Sequence, residues 1–79
     1  MVDLLKALVE PIVDYPEDIK IDELDRGNTV VLELRVNPDD MGKVIGRRGR
    51  RAQAIRSIIK AKAKLSNQRA IVDIIDPEE

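Results

Sequence analysis

The chain has 79 residues, a formal net charge of −1, one aromatic residue, and neither cysteine nor histidine. That length is expected to hold one domain, residues 1–79, with no second core. The absent residue types exclude a disulfide framework, a thiolate or imidazole metal site and the commonest general base, so no metal, cofactor or small-molecule substrate is expected.

Leu4, Leu5, Leu8, Val9, Ile12 and Val13 repeat at helical spacing, which predicts a helix over residues 2–13 with Pro11 bending its last turn. Tyr15-Pro16 closes it. Apolar runs reach only three residues, as in Ala7-Leu8-Val9, so no segment of this kind spans a membrane. Asp3, Lys6 and Glu10 break any signal-peptide core, and a cytoplasmic protein is the expectation. Ile19, Ile21 and Leu24 stand among charged residues in a first strand over 18–25, and Arg26-Gly27-Asn28 is a turn. Val30, Leu32, Leu34 and Val36 alternate with Val31, Glu33 and Arg35 in a second strand over 29–36, antiparallel to the first. Asn37-Pro38-Asp39-Asp40 starts a short helix that ends at Gly46, with a capping side chain before a proline. A long helix is predicted over 50–66, with Ala52, Ile55, Ile59 and Ala63 facing the sheet. Residues 70–75, bounded by Pro77, read as a third strand. Because the helix pair makes a crossover, the second and third strands should be parallel neighbours.

The net charge hides a segregation. Ten basic residues and no acidic one lie between Met41 and Val72, giving +10 there against −11 elsewhere. Such a dipolar chain presents one face to a polyanion. At the centre of that segment stands Lys43-Val44-Ile45-Gly46-Arg47-Arg48-Gly49-Arg50-Arg51. Two glycines allow a tight turn and close approach by a ligand's backbone. With a helix N-terminus and four arginines beside it, the turn suits phosphate.

Val44-Ile45-Gly46-Arg47-Arg48-Gly49 resembles the GXXG loop of a KH domain, which clamps about four nucleotides. The predicted order of elements (helix, strand, strand, helix, helix, strand) resembles the type II form of that fold. The resemblance therefore implies an α+β, three-stranded mixed sheet with helices packed on one face. Length, the Val13-Asp14-Tyr15-Pro16 segment and the run from Ile45 to Arg56, matching I-G-x-x-G-R-x-A-x-A-I-R, are similar to the KhpA family of small bacterial KH-domain RNA-binding proteins. Arg51 departs from that pattern, where an aliphatic residue is usual. The resemblance implies an RNA chaperone or post-transcriptional regulator, tied in some bacteria to cell shape and cell wall biogenesis. It also implies self-association and pairing with a KhpB-type partner that carries a KH domain of its own.

On this reading phosphates of single-stranded RNA lie over Gly46 to Gly49, held by backbone N–H groups and by Lys43, Arg47 and Arg48, with Arg50 and Arg51 adding charge. The bases enter an apolar groove walled by Val44, Ile45, the helix start near Ala52 and the second strand. Stacking platforms of other RNA-binding folds need aromatic rings, and Tyr15 is the only one here. Ala54, Ile58, Ala61 and Leu65 recur at coiled-coil spacing and form either a broadened core face or a subunit seam. A second function class is a protein-interaction subunit whose basic face docks an acidic partner or a ribosomal RNA–protein assembly. Enzymatic activity is not expected: Ser57 and Ser66 have no partner base, and the loop lacks P-loop spacing.

Overall fold

The computed structural model describes residues 1–76. Its elements are α1 (Val2–Val9), β1 (Lys20–Arg26), β2 (Thr29–Arg35), α2 (Met41–Ile45), α3 (Arg50–Lys64) and β3 (Arg69–Ile74), with short 3-10 turns at Pro16–Asp18, Pro38–Asp40 and Arg47–Gly49. The order and the mixed sheet are those the resemblance implied. Pro77, expected to bound the third strand, lies outside the described residues.

β2 is the centre of the sheet. It pairs antiparallel with β1, Arg26 opposite Thr29, and parallel with β3, Val31 opposite Ile71. The hairpin closes through Gly27 and Asn28, with Gly27 at φ 74°, the sign that tight hairpin turns require at this position. Alternation along β2 sends Val30, Leu32 and Leu34 inward, where they meet Leu5 and Val9 of α1, Ile55, Ile59 and Ala63 of α3, and Ala70 and Val72 of β3 in one core. The buried residues of α3 are Ala52, Ile55, Ile59 and Ala63, the face expected from spacing. All the helical packing falls on one side of the sheet. On the open side Asp22, Glu33 and Asp73 stand abreast across three strands, and Arg35 relieves the like charge with a 3.1 Å contact to Asp22.

Most boundaries shift by one or two residues from expectation, and that of the first helix by four. The first helix stops at Val9 rather than Val13. Pro11 has no N–H and its ring would meet the carbonyl of Ala7, so the proline ends the helix instead of bending it. The chain continues in a turn closed by Ile12 N–H to the Val9 carbonyl at 3.0 Å, and Val13 still reaches the core. β1 starts at Lys20 because Pro16 initiates a 3-10 turn first. Asn37 caps as expected, its Oδ1 accepting from the Asp39 N–H at 2.8 Å.

Candidate nucleic-acid interface

Gly46 ends α2 with φ 74° and ψ 179°, a region that residues with a side chain essentially never enter. A Cβ at this position would stand 2.6 Å from Arg51 Cβ and 3.0 Å from Arg51 N. Glycine is required here twice, for conformation and for room. The Gly49 N–H donates back to the Gly46 carbonyl at 3.2 Å, folding the four residues into one turn. Within it Arg48 takes φ 56°, ψ 28° and Gly49 φ 71°, ψ 11°, two left-handed residues in succession that deliver the chain into α3. A left-handed arginine costs about 1–2 kcal/mol, and strain of this kind gathers at ligand clamps.

The turn is held from behind by three side chains whose partners spacing could not reveal. Arg51 Nη1 donates to the Lys43 carbonyl at 2.7 Å, tying the first turn of α3 to the end of α2. Lys43 Nζ hydrogen-bonds the Asp14 carboxylate and lies 3.8 Å from Asp40 Oδ1. Asp40, wholly buried, accepts the backbone N–H groups of Asp14 and Tyr15 through its two oxygens, each at 3.0 Å. The segment after α1 is thereby fastened to the start of α2. The hydrogen bond to Asp14 raises the pKa of Lys43 above the ordinary lysine value of 10.5. Stabilisation from this pairing is complete below the ordinary value and lost only as pH rises through the raised one, so it adds no pH dependence near neutrality.

Sequence placed nine residues, 43–51, at one site, and the structure divides them by task. Arg47, Arg48 and Arg50 are exposed, and none of the three has an ion pair or side-chain hydrogen bond among the described residues. Ile45 is 38% exposed beside the loop, whereas Val44 is fully buried and packs beneath it. Lys43 and Arg51 hold the turn's geometry, and Gly46 and Gly49 make its two corners.

The expected groove walls need correction. β2 cannot line an open groove, because it is the central strand and its inward side chains lie at most 5% exposed. Ala52 is also buried, at 3%. The strand with a free edge beside α3 is β3, and there Arg56 Nε donates to the Val72 carbonyl at 3.2 Å. The strand edge open to a ligand beside α3 is therefore that of β3, and Arg56 ties the helix to it. Element order gave no means of telling which of two parallel strands would be the outer one.

Ala54, Ile58, Ala61 and Leu65 are all exposed, with Ile58 at 45% and Leu65 at 82%, which excludes the broadened core face. No helix among the described residues is long and apolar enough to cross a membrane.

The arrangement can fix a phosphodiester over a pre-shaped turn, with cations outside and an apolar side chain at its rim. Comparison with known proteins agrees with that geometry. The family model described as KhpA/KhpB, KH domain, matches residues 2–74. The RNA-binding protein KhpA of Halalkalibacterium halodurans is 49% identical over 76 residues, covering 91% of this chain and 100% of the relative. Its namesake in Clostridium acetobutylicum is 45% identical over 75 residues, covering 95% and 100%. A third, from Aquifex aeolicus, is 35% identical over 74 residues, covering 94% of each chain. No solved structure matches. Fold, loop position and full-length similarity agree, and the chain belongs to the KhpA/KhpB KH-domain family.

Proposed function

We propose that this chain, acting as a single domain in the cytoplasm, binds single-stranded RNA through the Gly46–Gly49 turn and performs no catalysis. The observation that carries the reading is the turn itself: a glycine-dependent corner presents three arginines, unpaired among the described residues, beside the exposed Ile45. The relatives' shared name, RNA-binding protein KhpA, supports it. Arg47, Arg48 and Arg50 contact phosphates, which sets position without reading sequence. Ile45 and the edge of β3 meet the bases, and Lys43, Val44 and Arg51 keep the turn in shape. Modest sequence preference follows, as suits an RNA chaperone or post-transcriptional regulator. By resemblance the cellular setting is cell shape and wall biogenesis.

Fluorescence anisotropy of a labelled single-stranded RNA over a salt series tests the reading. Arg47→Ala/Arg48→Ala should weaken binding at least tenfold and flatten the log–log salt slope by about 1.4, the value for two lost single-strand phosphate contacts. Equal affinity and equal slope for wild type and variant would remove the loop from the mechanism.

A second element of the proposal rests on the strip of Ala54, Ile58, Ala61 and Leu65. It leaves two large apolar side chains in solvent on a helix whose opposite face already fills the core. This strip serves as a seam for a second copy or for the KH domain of a KhpB-type partner, raising avidity for RNA. Ile58→Glu should convert a dimer to a monomer in sedimentation, with circular dichroism unchanged because the residue lies outside the core. An unaltered mass would sink the seam.

A further inference from the structure

The end of α3 farthest from the loop carries a second basic feature. Asn67, at φ 55°, reverses the chain there, with the Gln68 N–H on the Ala63 carbonyl at 3.0 Å and the Asn67 N–H on the Lys64 carbonyl at 3.1 Å. That is a left-handed helix stop which satisfies the last carbonyls. It brings Arg69 back beside Lys60 and Lys64 across a cleft of about 370 Å³, with Thr29, Gln68 and Ile71 completing the wall. No acidic residue lines the cleft, and none of its three cations is paired among the described residues. A neighbouring cleft around Lys62 has Glu23 and Asp25 in its wall, so the absence of carboxylates is particular to this one.

Lys60 and Lys64 continue a row begun by Arg56, at i, i+4 and i+8, along the flank of α3 that faces the free edge of β3. The row runs from Arg56, bonded to the Val72 carbonyl of β3, to the cleft. From Arg50 to Lys64 the helix spans about 21 Å. Three like charges in one cleft repel one another unless an anion joins them. The helix end opposes an anion only weakly, since its dipole places about half a negative charge there against three cations. A polar amide, a hydroxyl and an apolar wall accompany the cations, which matches a sugar-phosphate unit better than a bare ion.

We propose that the cleft formed by Lys60, Lys64 and Arg69 is a second phosphate-binding site, which takes the backbone of a single-stranded RNA beyond the segment clamped at the Gly46–Gly49 turn. This rests on the reading of the chain as a single-stranded RNA-binding protein. Each copy then holds a strand longer than the footprint of one loop, along a track between α3 and β3.

The test compares Lys60→Ala/Lys64→Ala with wild type on two labelled oligouridylates, one of about four nucleotides, the footprint of a single loop, and one about three times as long. Lys6→Ala/Lys20→Ala serves as the control of equal net charge. Both cleft positions are exposed on a helix, where alanine is a better helix former, so the variant should fold as wild type does. The expected result is unchanged affinity for the short probe, a five- to tenfold loss for the long one, and a salt slope on the long probe lower by about 1.4. Equal binding of the long probe by variant and wild type overturns the second site and leaves the loop reading intact. Equal weakening on both probes also overturns it, because the lysines would then act only as a diffuse field. If wild type binds neither probe, the RNA reading fails and this proposal with it.

Discussion

Replacing Asp40 with alanine should lower stability by about 3 kcal/mol, the largest loss expected from any single polar side chain in this protein. The Asp40 carboxyl group is completely buried and accepts two backbone N–H groups, those of Asp14 and Tyr15, at 3.0 Å each. Alanine leaves both part-buried donors without this partner, each at the lower end of the about 1–3 kcal/mol of an unsatisfied group. It also frees Lys43 Nζ from a 3.8 Å contact and unfastens the chain between α1 and β1 from the start of α2. For a domain of this size the loss corresponds to a fall in Tm of about 15 °C. Asp40→Asn should recover less than half, since one donor would then face the amide NH2 instead of an oxygen. Thermal and urea denaturation of the two variants measure this, and an unchanged midpoint for Asp40→Ala would show that water replaces the carboxyl group without loss. RNA binding at low temperature, where the variant remains folded, should survive, because Asp40 supports the turn and does not touch its outer face.

Gly46→Ala should damage both stability and binding. Positive φ with extended ψ costs a non-glycine residue about 1–3 kcal/mol in strain, and the new Cβ meets Arg51 Cβ at 2.6 Å. Neither atom is the free end of a flexible chain, so α2 and α3 must move apart. That movement breaks the 2.7 Å bond from Arg51 to the Lys43 carbonyl. We expect a loss of about 3 kcal/mol and RNA affinity reduced at least a hundredfold. Gly49→Ala is the control. Its φ is 71° but nothing stands within 4 Å of a Cβ there, so only the left-handed penalty of about 1 kcal/mol remains. If Gly46→Ala binds RNA as wild type does, the shape of the turn is not what holds the phosphates, and the arginines alone carry affinity.

The two variants differ in how far sequence reading reached them. Gly46 was legible because glycine spacing, flanking arginines and position between two helices are all local patterns. By spacing alone Asp40 belongs only to the Asn37-Pro38-Asp39-Asp40 helix start. Its partners lie 26 and 25 positions earlier, and nothing in the intervening sequence points to them. On sequence Lys43 holds phosphate and Arg51 adds charge beside the loop, and the fold gives each an internal partner. The Arg51 Cβ lies over Gly46 while its guanidinium donates to a carbonyl of α2.

What the sequence determined by itself was the set of elements, the inward faces of β2 and α3, the hairpin turn and the glycine-bracketed turn between α2 and α3. Each follows from periodicity or from backbone preference acting over a few residues, and such signals survive in one dimension. The tertiary structure alone decided that β3 is the free edge beside α3, that Ile58 and Leu65 stay in solvent, and that Arg69 returns to Lys60 and Lys64. It also decided which cations remain available for a ligand. Those outcomes depend on which distant segments meet, and a side chain's charge does not say whether a partner will be waiting for it.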